Sequence, residues 1–489
     1  MARWEFVLPL ERQRGVPLFQ QIARAIAADI RRGRLRPGDP LPGTRTLARA
    51  LGVQRLTVVS AFDDLIAEGW LVSHPASGTF VSSDLPDPKP RRFAPQRTPN
   101  PAPPNRAGYD LLAAPEPELP YDVPRGSLLF APSRPDVRLA PGALIGRAYR
   151  RAIGKPGGAL LSYAAPEGHP RLRDALAAML ASTRGLAATS ANVLVTRGSQ
   201  MAISLLARAL VRPGDVVAVE ELGYRPAWET FRLAGARVVG VPVDKDGIRI
   251  DRLERAIADH GVRAVYVTPH HQFPTTVTLS AGRRMKLLDL ARDHRFAIFE
   301  DDYDHEFHYD GRPVLPLASV DSAGVVVYIG TLSKVLAPGL RLGYIVAPVP
   351  LIERIAAHRS YVDTQGDQVL EYAIAELLED GAIQRHVRRM RREYRARRDV
   401  LVAALRDELA DDLTFTVPAG GIALWARARR ALDVDAWARA ARARGAVIVT
   451  GSAYTLDGRA EPCVRLGFAS LNAKELQEGV RRLAAAARH

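Results

Sequence analysis

A proline-dense stretch from Asp84 to Pro124 sets the first limit on what this chain can fold into. Pro86, Pro88, Pro90, Pro95, Pro99 and Pro101 crowd its first half, with Lys89, Arg91, Arg92, Arg97 and Arg106 interspersed. Proline lacks a backbone donor and fixes φ, and a segment of this composition has little apolar surface to bury. It predicts an extended linker rather than part of a core. The chain therefore reads as a small unit over residues 10–83, a linker over 84–124 and a large unit over 125–489. A length of 489 residues also argues for more than one core.

Composition excludes several classes. Hydrophobic residues make up 47% and charged residues 25%, a globular rather than a disordered balance. The single cysteine, Cys463, rules out a disulfide within the chain and a cysteine-rich metal site. It is expected to be inert core filler, and no metal ligand set is singled out. No apolar run reaches membrane-spanning length, and Met1 to Leu10 lacks the apolar stretch of a signal peptide. The expectation is a cytoplasmic protein with no membrane partner. A net charge of +15 permits a nucleic-acid partner without demonstrating one.

The small unit carries three helical patterns and a hairpin. Phe19, Ile22, Ile26 and Ile30 recur at helical spacing, and Gly33 ends that run. A short helix is predicted over Thr44–Leu51, closed by Gly52. A third runs from Arg55 to Glu68, with Val58, Phe62, Leu65 and Ile66 on its inner face. Trp70–Val72 and Thr79–Val81 read as strands flanking the turn His74-Pro75-Ala76-Ser77-Gly78. This order describes a winged helix-turn-helix. Arg45 and Arg55, at the starts of the second and third helices, can reach phosphates or guanine edges. Thr57 and Ser60 can bond phosphate, and Gly78 allows close approach of a wing tip to a backbone.

The large unit alternates apolar strands with helical segments. Strands are expected over Val193–Thr196, Val216–Glu220, Ala264–Thr268, Ala297–Asp301 and Val325–Ile329. That alternation implies a mostly parallel sheet covered by helices. Gly330-Thr331-Leu332-Ser333-Lys334 follows the last strand. A lysine there can be desolvated and made nucleophilic, as Schiff-base chemistry requires, and Arg341 follows at a distance that could reach a phosphate. Alone, a Ser-Lys pair is ordinary surface. Glu300-Asp301-Asp302-Tyr303 ends another buried strand, where a carboxylate can keep a pyridine nitrogen protonated. Gly198-Ser199-Gln200 opens an apolar-faced helix, an anion-ready terminus.

The small unit resembles the GntR family of winged-helix regulators over about residues 15–82. The likeness runs through Pro17-Leu18-Phe19-Gln20-Gln21-Ile22, Gly33-Arg34-Leu35-Arg36-Pro37-Gly38-Asp39-Pro40-Leu41-Pro42, Leu47-Ala48 and Gly78-Thr79-Phe80-Val81. Gly43-Thr44 stands where two serines are common, and Leu56 where Asn is common. With the large unit added, the chain resembles the MocR group, whose large domain is similar to a fold-type-I aminotransferase. The motifs are Tyr163 with Gly168-His169-Pro170, Pro213-Gly214-Asp215, Gly223-Tyr224, Thr268-Pro269-His270-His271-Gln272-Phe273-Pro274, Glu300–Asp304, Ser333-Lys334, Arg341-Leu342-Gly343 and Arg465-Leu466-Gly467-Phe468.

The resemblance implies pyridoxal 5'-phosphate as cofactor, with Lys334 as the Schiff-base lysine, Asp301 at the pyridine nitrogen and Tyr303 at the ring hydroxyl. It places Ser199, Gln200, Ser333 and Arg341 around the phosphate, Tyr224 over the ring and Tyr163 at the partner subunit's phosphate. Arg465 would clamp a carboxylate. The implied partners are a double-stranded DNA operator, a second copy of the chain, and an amine or amino-acid effector, or the cofactor itself. The implied function is transcription regulation; the alternative is a working aminotransferase with an accessory DNA-binding domain. Thr276 stands where the family usually has Gly, and because a β-branched residue resists positive φ, that turn is expected to be reshaped. Phe273 stands where active aminotransferases usually carry Asn, which points away from a full catalytic cycle. The arginine-rich run Arg385–Arg398, opposed only by Glu393, is expected on a solvated or dimer-facing helix, or on a second DNA-contacting surface.

Overall fold

Ile22, Ile26 and Ile30 stand one helical turn apart, and all three are buried on the inner face of α1 (Leu18–Arg31). The computed structural model describes residues 16–75, 77–85, 106–111, 123–131, 133–155, 158–311, 313–429 and 432–488. The chain divides into two compact units, residues 1–112 and 113–489. Most of the proline-dense stretch, Ala76 of the predicted turn and residues 1–15 lie outside the described residues.

In the small unit, α3 (Arg55–Ala67) packs against both α1 and α2 (Thr44–Leu51), followed by the hairpin β1 (Leu71–His74) and β2 (Gly78–Val81). Gly52 closes α2 in the left-handed conformation, where a Cβ would be strained. The register pairs Leu71 with Val81 and His74 with Gly78. Burial of Ile22, Val58, Phe62 and Leu65 holds this module together; each such side chain contributes roughly 1.5–3 kcal/mol. The inner face of α3 differs from expectation at one residue: Ala61 is buried, whereas Ile66 is 37% exposed.

The large unit is organised on a seven-stranded sheet. Its strands are β3 (Val193–Thr196), β4 (Val216–Glu220), β5 (Arg237–Val241), β6 (Val262–Val267), β7 (Ala297–Asp302), β8 (Val326–Thr331) and β9 (Gly343–Val346). The spatial order is β3-β9-β8-β7-β6-β4-β5. Only β9 runs against its neighbours. Strands β3, β4 and β8 are buried at every residue, the pattern of a sheet covered on both faces. The sequence did not announce β9, which has four residues and opens on a glycine. At Gly343 a Cβ would lie 2.8 Å from the Gly198 backbone, so this crossing admits only glycine.

A second sheet is antiparallel, in the order β10 (Leu413–Phe415), β11 (Ala423–Ala428), β13 (Cys463–Gly467) and β12 (Val449–Thr450). Cys463 is buried within it, and burial pushes its thiol pKa up to about 12, which suits inert packing. The arginine-rich run lies on a long helix, Ala382–Glu408. Its C-terminal members correct the expectation of a solvated face. Arg397 is buried against Asp136 (3.0 Å) and Glu393 (2.9 Å), and Arg398 is buried against Asp310. These two bind the helix to its own domain.

Candidate functional site

Parallel strands all end on the same edge of a sheet, and loops from that edge collect ligand-binding groups. Here β3 leads to Gly198 and Ser199, β6 to Thr268, β7 to Asp301 and Tyr303, and β8 to Lys334. Ser199, Tyr224, Asp301, Tyr303 and Lys334 converge on one cavity, together with Ser133, Tyr266, Thr268 and Phe273.

Burial dominates the electrostatics of that cavity. It pushes the Lys334 amine down to about 8, although Asp301 and Asp304 pull the other way. Desolvation likewise raises the Asp301 carboxyl to about 6. Oδ2 of Asp301 accepts from the Tyr266 hydroxyl at 2.7 Å, while buried Oδ1 has no partner among the described residues. A buried carboxylate oxygen without a donor is costly and calls for a cationic N–H. A protonated pyridine nitrogen meets that demand, so the residues present fit the pyridoxal group.

The anion-binding end is built from backbone. Ser199 opens a helix (Ser199–Leu210) after Gly198, whose φ is +79°. A Cβ on Gly198 would stand 2.9 Å from Arg341 Nη2, so the guanidinium packs directly on that turn. Arg341 also donates to the Arg197 carbonyl at 2.8 Å. The Gln200 side chain turns elsewhere, donating to Thr230 Oγ1 (2.6 Å) and the Pro226 carbonyl (3.1 Å). Only its backbone amide remains for an anion. Ser333 is buried beside the lysine, and its amide donates to Thr331 Oγ1 at 3.1 Å.

On the opposite wall, the Tyr303 hydroxyl donates to the His271 carbonyl at 2.9 Å and accepts from Arg465 Nη2 at 3.4 Å. Arg465 is fully buried, donates to the Pro274 carbonyl, and sits 4.5 Å over the Phe273 ring. Tyr224 meets Phe273 edge-on at 5.6 Å. Tyr163 is 88% exposed and reaches none of these groups within its own chain. Thr276 corrects an expectation. The β-branched residue does not resist positive φ here: Thr276 itself takes φ +65°, held by its amide to the Gln272 carbonyl (2.7 Å) and by the Gln272 amide to Val277 (2.8 Å).

Sequence reading missed Tyr266, Thr268 and Ser133 as wall residues. Tyr266 left one usable signal, a polar aromatic one residue from the end of a strand whose other buried residues are apolar. Ser133 left none.

In the small unit, Arg45, Arg55 and Ser60 are exposed, Thr57 is half-buried, and Gly78 is exposed with φ +113°. Arg55 Nε donates to Thr44 Oγ1 at 3.4 Å, which links the starts of α2 and α3. Leu56 beside it is 74% exposed.

Fold and site together define a class of protein: a winged-helix DNA-binding unit joined to a pyridoxal-phosphate-binding domain of the fold-type-I aminotransferase kind. The family model for bacterial regulatory proteins of the gntR family matches residues 18–81, and that for aminotransferase class I and II matches residues 147–483. The probable rhizopine catabolism regulatory protein MocR of Rhizobium meliloti is 34% identical over 98% of this chain and 96% of its own. The HTH-type transcriptional regulator TauR of Rhodobacter capsulatus is 33% identical over 96% of each chain. Among solved structures, the α-aminoadipate aminotransferase LysN of Thermus thermophilus, complexed with N-(5'-phosphopyridoxyl)-L-leucine, aligns with a TM-score of 0.69 at 28% identity, covering 74% of this chain and 92% of that one. The chain belongs to the MocR-type group of GntR-family transcription regulators. No helix among the described residues is long and apolar enough to cross a membrane.

Proposed function

We propose that this protein is a cytoplasmic homodimeric regulator that binds an operator through residues 10–83 and senses an amine or amino-acid effector, or the cofactor itself, through residues 125–489, the two joined by the linker 84–124. The observation that carries this reading is the pairing of a low-pKa Lys334 with a buried, donor-seeking Asp301 in one cavity. When bound, pyridoxal phosphate supplies an electrophilic aldehyde and an electron-withdrawing ring. Lys334 presents a largely desolvated amine for covalent attachment. Asp301 holds the pyridine nitrogen's proton, Tyr303 hydrogen-bonds the ring hydroxyl, and Tyr224 packs over the ring. The Ser199 and Gln200 amides, Ser333 and Arg341 bind the phosphate. Tyr163, exposed in its own chain, serves the partner subunit's phosphate site.

Arg465 is the candidate clamp for an effector carboxylate, a role its planar fork suits. Because a ligand shifts an equilibrium only through differential affinity, the effector signal must come from such exchanged contacts. Arg45, Arg55, Thr57, Ser60 and Gly78 form the proposed DNA-facing set, and exposed Leu56 suits a thymine methyl.

The test has two parts. Borohydride should fix the cofactor to the peptide containing Lys334, and Lys334→Ala should be colourless; labelling of another lysine would sink the site assignment. An operator footprint that changes with an amino acid in the wild type but not in Arg465→Ala supports sensing. Robust steady-state transamination would favour the aminotransferase alternative instead.

A further inference from the structure

Two loops of the cofactor-bearing edge bring four histidines together outside the cavity already described. His270 and His271 follow β6; His305 and His308 follow β7. Ring centroids of His270 and His271 lie 4.2 Å apart, and those of His270 and His305 4.6 Å apart. The rings of His271 and His308 stack with an interplanar angle of 11°. We propose that His270, His271 and His308 form a binding site for one divalent transition-metal ion, with Asp304 positioning His271.

One ring nitrogen from each of these three residues lies within 4.8 Å of the other two. Bonds of about 2.1 Å in tetrahedral geometry require nitrogens about 3.4 Å apart, so the shell closes with side-chain movements on the order of 1 Å. His270 Nε2 is buried and lacks a hydrogen-bond partner among the described residues. A neutral imidazole carries one donor and one acceptor, and burial normally pairs both.

His271 shows the second shell of such a site. Its Nδ1 lies 2.8 Å from Asp304 Oδ1, which directs Nε2 away from the carboxylate and toward a ligand. A Cβ at residue 420 would stand 2.5 Å from that Nε2, so glycine there keeps the space before it open. Three imidazoles and an open position are the donor set of zinc, cobalt or nickel rather than of calcium or magnesium. An ion there would tie the loop carrying Phe273 to the end of β7, because the His271 carbonyl also accepts from Tyr303.

The experiment uses the untagged, cofactor-loaded full-length chain, treated with a chelator and titrated with Zn²⁺ and then Co²⁺. Expected are one ion per chain at micromolar free metal and cobalt d–d bands of tetrahedral strength. His308→Gln and, separately, His270→Gln should abolish stoichiometric binding while circular dichroism and cofactor absorbance persist. Asp304→Asn should weaken binding about 10–100-fold. Failure of the wild type to bind stoichiometrically, or wild-type affinity in either folded histidine variant, overturns the proposal. The cofactor absorbance is read independently, so loss of metal binding leaves the cofactor assignment untouched.

Discussion

Lys334 should react as a far stronger nucleophile at neutral pH than an ordinary lysine. Burial moves its amine from 10.5 to about 8. That difference corresponds to about 3 kcal/mol in favour of the neutral form. At pH 7.5 a sizeable fraction of the amine is neutral, against about one part in a thousand for a free lysine, so the reactive form is enriched on the order of a hundredfold. The sign follows from the direction of the shift: a depressed base is neutral above its folded pKa and protonates below it. The assay is the rate at which cofactor-free protein captures the aldehyde of added pyridoxal phosphate, measured across pH 6–10.5 with Lys334→Ala as the blank. The rate should rise with pH and level off with a midpoint near 8. Asp301→Asn removes the largest opposing charge, so its midpoint should move lower still. A rate that still climbs tenfold per pH unit above pH 9 would refute the argument, because the amine would then be solvated.

Three further outcomes are expected. Thr276→Gly should stabilise the cofactor-free protein by about 1 kcal/mol, since a β-branched residue at φ +65° is strained where glycine is not; a lowered calorimetric Tm at equal protomer concentration would contradict this. Gly198→Ala should weaken cofactor binding in an apo titration, because the new methyl would displace the Arg341 guanidinium 2.9 Å away; unchanged affinity would remove Arg341 from the phosphate site. Alanine at Arg45 and Arg55 should each cost about 1–3 kcal/mol of operator affinity if the side chain reads a base, or lower the salt slope by about 1 if it only neutralises phosphate. An unchanged isotherm for the double variant would misplace the recognition helix.

Much of the architecture was legible in the chain because its signals are local. Isoleucines one turn apart, Gly52 at a helix end and all-apolar runs such as Val216–Val219 each depend on near neighbours alone. The lysine, the acidic strand end and the glycine-led helix were legible too, since each sits at a boundary that residue pattern marks. Other features were beyond pattern. Four-residue β9 is specified by Gly343 crossing Gly198, a contact between distant segments. That the Gln200 side chain turns away from the phosphate end, leaving its backbone N–H there, was decided by α-helical geometry aiming its amide at Thr230. Arg397 and Arg398 counted as surface charge until Asp136 and Asp310 came up against them.

The sequence by itself determined most of the elements and which chemistry-bearing residues lie at their ends, because periodicity, capping and breaker residues act over a few positions. Only the tertiary structure decided which of those ends meet. The lone oxygen of Asp301, the depressed amine of Lys334 and the histidine cluster arise when separate strand ends converge and exclude water, and desolvation is a property of that convergence rather than of any segment.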